Sequence, residues 1–429
     1  MSDVLITNGH IIDPANGVNR VGDLYLAGGK IEKVDFDGAA RKHDEKLEVI
    51  DASGLVVAPG LIDLHVHFRE PGQSAKETIS SGAKAAAAGG FTSVVCMPNT
   101  SPSVDQPSVV TWIKEKAKAE ACVNVFPTGA ITKGIAGEEL APIGSMRKAG
   151  IVALTDDGHC IQNPEVMRRA LEYARMFGLV VMDHCQDYNL VGKGVMHEGR
   201  VSAELGLPGW PAIGEEIIVQ RNGLLTELCD TPIHCQHLSA AGSVRILREA
   251  RARGVKLSGE VCPHHIALTD ESIRGFDTHY KMNPPLRTQA DVDACIQGVV
   301  DGTIDILATD HAPHLAEEKE LEFPYAPFGI IGLEGALSLY VKALVTPGHI
   351  DWMKLIDMMS TGHAKIIRYP RGTLKAGSIA DVTIIDPEMK WTIDKEQFKS
   401  KSRNCPFHGW EVTSRATHTI VNGQLKWKL

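Results

Sequence analysis

Eight short apolar runs, each ending on polar residues, constrain this chain more than any other feature. Between Leu61 and Ala312 and just beyond, they read LIDLHVH, TSVVCMPN, NVFPTGA, IVALTDD, LVVMDHCQD, PIHCQHLS, KLSGEVCPHH and DILATDHAPH. Runs that are continuously rich in Val, Ile and Leu belong to strands covered on both faces, as in parallel βαβ units. The segments between them supply the helices: KETISSGAKAAAAGG and EVMRRALEYARMFG carry apolar residues at three- and four-residue spacing and end on glycine. Eight such units are what a closed barrel requires. The expected fold class is therefore α/β, with a (β/α)8 TIM-like barrel over residues 58–370.

The flanks have another texture. Residues 1–57 and 371–429 contain β-like pieces broken by glycine turns, among them GDLYLAGGKIEKV, ADVTIID and HTIVNGQLKW. Asn422-Gly423 between two apolar pieces is a hairpin signal. The two ends are expected to build one small composite β domain, sandwich-like, beside the barrel. The 44 Lys+Arg against 53 Asp+Glu give a net charge of -9, spread along the chain, which leaves no basic footprint for nucleic acid. The N-terminal MSDVLITNGHIID does not read as a secretory signal, and no apolar run reaches the roughly 18 residues that would span a membrane. Nine cysteines, an odd number without a CxxC pair, agree with a reducing, cytoplasmic location.

The polar residues gather where the apolar runs end: His65 and His67, Asn99, Asp156 and Asp157, His184, His237, His264 and His265, then Asp310, His311 and His314. In such barrels the C-terminal strand ends form the active face, so these side chains converge. A single histidine among 18 is more commonly a hydrogen-bonded core or surface residue than a ligand. His65-Val66-His67 stands apart, because residues i and i+2 of a strand share one side and two imidazoles can grip one cation. For Asp156-Asp157 the alternation sends only one carboxylate to the barrel mouth and leaves open which. His184 and His237 can serve a second cation, and Asp310 completes an N/O set that suits Zn²⁺, Mn²⁺ or Co²⁺. Cys185 and Cys235 are expected in the core.

Taken together, DLHVHFREPG (63–72), MPNT (97–100), TDDG (155–158), DHCQD (183–187), QHLS (236–239), KMNPPLR (281–287) and ATDHAPH (308–314) resemble the class I dihydroorotases of the amidohydrolase superfamily, in order and over nearly the whole chain. The resemblance implies two zinc ions per subunit, one on His65, His67 and Asp310, the other on His184 and His237. Asp157 matches the bridging carboxylate, where many relatives carry a carboxylated lysine. The activity implied is the reversible cyclisation of N-carbamoyl-L-aspartate to L-dihydroorotate plus water in pyrimidine (UMP) biosynthesis. A zinc-bound hydroxide would be the nucleophile and Asp310 the general base and then acid.

Carried over from the family, His67, Phe68, Arg69, Asn99, Asn283, His314, Phe328 and Gly329 match substrate-binding positions. Arg69 suits a carboxylate because its guanidinium can bind one bidentately. The charged run EEKE before Phe328 is expected to be a solvated, mobile loop near the mouth. The family also admits a homodimer and an association with aspartate carbamoyltransferase. The nearest rival is a hydantoinase or allantoinase with the same barrel, usually bridged by a modified lysine. A second rival is a non-catalytic scaffold of the family; such chains lack part of the metal set, which is complete here.

Overall fold

The computed structural model describes residues 3–36 and 47–429. Parallel strands Leu61–Val66, Phe91–Cys96, Asn124–Pro127, Val181–Asp183, Ile233–Cys235, Leu257–Val261 and Ile306–Leu307 follow one another around a barrel. The fourth apolar run makes no ladder of its own. It joins by single parallel bridges of Leu154, to Gly129 on one side and Val181 on the other. Closure comes from the parallel bridge Val66–His311, with the His67 amide donating to the His311 carbonyl at 2.9 Å. All eight runs thus take part in a closed (β/α)8 barrel, as the spacing predicts.

The helices begin where local chemistry says they should. Thr78 caps Ile79–Ala88 by accepting from the Ser81 amide at 3.0 Å, and Asn163 caps Pro164–Met176 through the Glu165 amide at 2.9 Å, with Pro164 in the first turn. Each satisfies an amide that the helix itself cannot.

The chain ends form one eight-stranded mixed sheet: Val4–Asp13, Val18–Ala27, Lys30–Asp35, Glu48–Asp51 and Val56–Pro59 from the front, Val382–Thr392, Glu411–Val421 and Gln424–Lys428 from the back. Front and back meet where Val56–Pro59 pairs antiparallel with Val382–Ile385. Asn422 and Gly423 both take positive φ, 51° and 76°, which is the tight turn the hairpin needs. The strand alternation divides its burial: Val57, Val382 and Ile384 enter the sheet's own core, while Val56, Ala58 and Ile385 join the barrel's. Among the described residues no helix is long and apolar enough to cross a membrane.

Candidate functional site

Seven side chains from six barrel strands meet in one buried cluster. His65 and His67 come from the first strand, Asp157 follows the fourth run, His184 the fifth, His237 the sixth, Asp310 the eighth, and Glu260 lies within the seventh. An aspartate brace aligns the first and eighth: the Thr309 hydroxyl donates to Asp63 at 2.6 Å and the His65 amide at 3.0 Å. Burial pushes the Asp63 carboxyl up to about 7, although these hydrogen bonds oppose it.

The distances within the cluster are those of a metal cradle. His65 Nε2 lies 3.2 Å from Asp157 and 3.4 Å from Asp310, and His67 Nε2 lies 3.4 Å from Asp157 and 3.0 Å from Asp310. His184 Nδ1 is 2.7 Å from His237 Nε2, with Asp157 Oδ1 at 3.7 and 3.8 Å from the two. Ligand atoms about 2.0–2.2 Å from a shared ion sit roughly 3–4 Å from each other. His65 Nε2 and Asp157 Oδ1 are fully buried and have no hydrogen-bond partner among the described residues, which in a protein interior calls for an ion or a water.

The tautomers are set from behind, and this fits the donors to a cation. His65 Nδ1–H donates to Glu260 Oε1 at 2.6 Å, His67 Nδ1–H to Asn99 Oδ1 at 2.9 Å, and His184 Nε2–H to Gln186 Oε1 at 2.8 Å. Each hydrogen bond leaves the opposite ring nitrogen as a lone pair aimed into the cluster, the outer support typical of metal-bound histidine. Burial alone would raise the Asp157, Asp310 and Glu260 carboxyls; His65 holds all three well below the usual range, helped by His67 at the two aspartates and by His234 at Glu260. His65 is held above the ordinary imidazole value against its own burial by Asp157, Asp310 and Glu260. Burial, with His184 and His65 alongside, takes His237 down to about 3. The cluster can therefore hold a metal, with up to three carboxylates to balance its charge.

Of the neighbouring aspartates, Asp157 faces the cluster and Asp156 the wall. Asp156 accepts from the Ile131 and Thr132 amides at 2.7 and 3.1 Å and from the Thr132 hydroxyl. The cluster opens into a cavity of about 320 Å³ lined by Arg69, Asn99, Asn283, His314, Phe328 and Gly329 together with the exposed edges of His67, Asp157, His184, His237 and Asp310. Arg69 donates from Nε to the Pro313 carbonyl at 3.1 Å and extends its guanidinium beside His314, whose Nε2–H donates to the Phe328 carbonyl at 2.8 Å. Burial and the Arg69 charge hold His314 down to about 2, so among the described residues that line the cavity Arg69 carries the positive charge. Gly329 has φ 130°, and a Cβ there would come within 2.8 Å of Ala312 Cβ and 3.0 Å of His314 Nε2. Only glycine lets the backbone approach this closely.

Phe68 is not brought to the cavity. On a strand path that turns His65, His67 and Arg69 to one side, it falls on the other, where its ring packs in the barrel's outer core against Gly82 and edge-on to His311. The EEKE run also differs from expectation. Ala316–Lys319 is a helical turn with Glu317 and Glu320 exposed, but Lys319 is buried. His264 and His265 are buried beside the cluster without lining the cavity, and with Cys262 they bring three further donor atoms within 4.8 Å of one another. Glu260 and Gln186 are the supports that motif spacing misses. A glutamate inside a buried strand is itself a signal, since such a charge is almost never buried unpaired.

Comparison with known proteins agrees with this geometry. A family model described as "Dihydro-orotase-like" matches residues 54–243. The chain is 51% identical to a dihydroorotase of Geobacter metallireducens over 99% of its length and 100% of that relative, and 49% identical to a dihydroorotase of Pelotomaculum thermopropionicum over 98% of each. Its fold is that of an L-hydantoinase (dihydropyrimidinase) from Arthrobacter aurescens, with a TM-score of 0.89 at 23% identity over 99% of this chain and 96% of that one. Full-length identity at this level, carried on a barrel whose strand ends converge on a histidine and aspartate cluster, places the chain in the dihydroorotase family.

Proposed function

We propose that this protein is a zinc-dependent dihydroorotase, interconverting N-carbamoyl-L-aspartate and L-dihydroorotate with two metal ions per chain. The observation that carries the reading is the shared cavity. Arg69 and His314 stand at one wall and the His/Asp donor cluster at the other, so a small cyclic amide bearing a carboxylate can reach both. His65, His67 and Asp310 would hold one ion and His184 and His237 a second, with the Asp157 carboxylate within reach of both sets. When bound, such ions polarise a carbonyl, stabilise a developing oxyanion and make water acidic enough to act near neutrality.

The chain's own residues do the rest. Arg69 presents a planar fork to the substrate carboxylate, and burial together with the Arg69 charge lowers His314, which leaves the guanidinium as the main cationic partner. Asn283 donates from Nδ2 to Gln186 Oε1 at 3.2 Å, while its own Oδ1 is buried without a partner and free to accept from a ring N–H. In ring closure the ureido nitrogen forms the new C–N bond at the carboxyl carbon. Asp310 takes the proton from that nitrogen and passes it to the departing oxygen, which leaves as water with one further proton from solvent. Closure consumes a proton, so it gains on ring opening as pH falls.

The test is absorbance-monitored ring opening of L-dihydroorotate by zinc-loaded protein, with hydantoin and allantoin in parallel and metal content measured on the same sample. Turnover of dihydroorotate with two metals per chain is expected. Preference for hydantoin or allantoin would overturn the substrate, and bound metal without any turnover would overturn the activity.

A further inference from the structure

We infer that Lys319 and Lys281 are positioning residues that fix the Phe328–Gly329 wall of the substrate cavity by stapling the 319–329 segment to residue 281 through ammonium–carbonyl hydrogen bonds. Both side chains are buried, at 4% and 2% exposure. Lys319 Nζ donates to the carbonyls of Lys281, Pro327 and Gly329 at 3.3, 2.9 and 3.1 Å. Lys281 Nζ donates to those of Phe323, Pro324 and Ala326 at 2.7, 3.0 and 2.7 Å. An ammonium has three donors, so each cradle uses all of them.

No ion pair compensates these charges: among the described residues, neither nitrogen lies within 4.0 Å of a carboxylate oxygen. A buried charge without a partner is strongly unfavourable, and the carbonyl dipoles are what offset it here. Burial accordingly pulls both ammoniums down, Lys281 to about 8 and Lys319, with Lys281 beside it, to about 7.

The two cradles converge on one residue. The carbonyls that Lys319 holds, on Pro327 and Gly329, flank Phe328, and the Gly329 amide donates to the Lys281 carbonyl at 2.9 Å. Lys281 Nζ stands 4.5 Å from the centroid of the Phe328 ring, within cation–π range, and Trp210 meets the same ring edge-on at 5.8 Å. The Phe328 carbonyl in turn accepts from His314, beside Arg69. A continuous path of contacts therefore runs from the two lysines to the wall that faces the substrate carboxylate, without either lysine touching the cavity.

The inference rests on the proposed activity for its kinetic consequence and on the backbone alone for its structural one. A misplacement of about 1 Å can cost up to about 100-fold. For Lys319→Met, which keeps the stem and removes the donors, we expect KM for L-dihydroorotate to rise about tenfold with kcat within about twofold and metal content unchanged. Amide hydrogen exchange over 323–329 should accelerate while the barrel strands stay protected. Lys319→Gln, which keeps two donors, should fall between. Unchanged KM and unchanged exchange would overturn the assignment, as would an equal loss in kcat alone. If Lys319→Met does not fold, Lys281→Met is measured in the same way; failure of both to fold would show a role in global stability and overturn positioning. If wild-type protein opens no dihydroorotate, the functional reading fails, and the exchange comparison still decides the staple.

Discussion

Glu260→Gln isolates how much of the metal affinity is set behind the ligands. Glu260 Oε1 accepts from His65 Nδ1 at 2.6 Å and from the His237 amide at 3.1 Å, and Oε2 accepts from His234 Nε2 at 3.0 Å. Glutamine can keep the first two with its oxygen. Its NH₂ then faces His234, whose other nitrogen lies 2.9 Å from the Ser258 hydroxyl, so a change of His234 tautomer absorbs the replacement. What is lost is the negative charge behind His65. A charge-assisted hydrogen bond is worth about 1.5–3 kcal/mol against about 1 for a neutral one. Loss of such an outer partner typically costs about 10–100-fold in metal affinity, or roughly 1.4–2.8 kcal/mol. Glu260→Ala is a different perturbation: three buried donors lose their partner at about 1–3 kcal/mol each, comparable with the whole stability of a domain. The assay is zinc titration of metal-free protein against a competing chelator, with melting temperature in parallel. Glu260→Gln should lose one to two decades of affinity while melting near wild type, and Glu260→Ala should not yield folded protein. Wild-type affinity in Glu260→Gln would refute the reasoning.

Other substitutions separate the roles further. Asp310→Asn should retain most bound metal while kcat falls by about 10²–10⁴, read by metal analysis and kinetics on one preparation; unchanged turnover would remove it from proton transfer. Arg69→Lys keeps a charge and loses the fork, so kcat/KM for L-dihydroorotate should fall about tenfold or more, mainly through KM. Phe68→Ala should cost about 3–5 kcal/mol in chemical denaturation and leave KM in the surviving fold unchanged, because its ring lies in the outer core. Glu334 accepts from the Lys399 and Ser400 amides, yet burial raises its carboxyl to about 7. Its folded value lies above its unfolded one, so its contribution is present below about pH 4.5 and lost as pH rises through 7. Glu334→Gln should therefore be the more stable protein at pH 8, by roughly 2–3 kcal/mol, and indistinguishable at pH 4; no difference at pH 8 would show the carboxylate to be solvated.

The barrel was legible because its strands are buried on both faces and the helices between them keep their own period. The fourth run, whose only bridges are those of Leu154 among the described residues, reads as well in sequence as the others, since an apolar run reports burial and not ladder length. The residues of the His/Asp cluster were legible for the same positional reason: polar residues at the ends of apolar runs stand out. Their supports did not, because the pairing of Glu260 with His65 spans 195 positions and depends on which strands become neighbours. Phe68 shows the limit of carrying a motif across as a block, since alternation through His65, His67 and Arg69 already turns it away. Lys319 lay within a run of glutamates that reads as solvent-facing, and nothing local tells of the carbonyl of Lys281, 38 positions away.

Three site residues, Arg69, His237 and Asp310, hold positive φ of 61°, 33° and 48° without being glycine. Such conformations cost of order 1–3 kcal/mol each and persist only where the surroundings over-determine them. Each has its determinant. The Asp63 brace ties the strands of His65 and Asp310, Glu260 holds the His237 amide, and Arg69 is tied to the Pro313 carbonyl. The His/Asp end of the cavity is thus shaped by strand backbones locked to one another, whereas the Phe328–Gly329 wall is shaped by a loop locked by two lysines. Among the described residues the ammonium groups of Lys281 and Lys319 donate only to carbonyls of residue 281 and of the 323–329 segment, so perturbing the strands should act on metal affinity and kcat, and perturbing the lysines on KM. One cavity thus takes its His/Asp cluster from strand ends and its Phe328–Gly329 wall from the loop after the eighth strand, so the two can be perturbed one at a time.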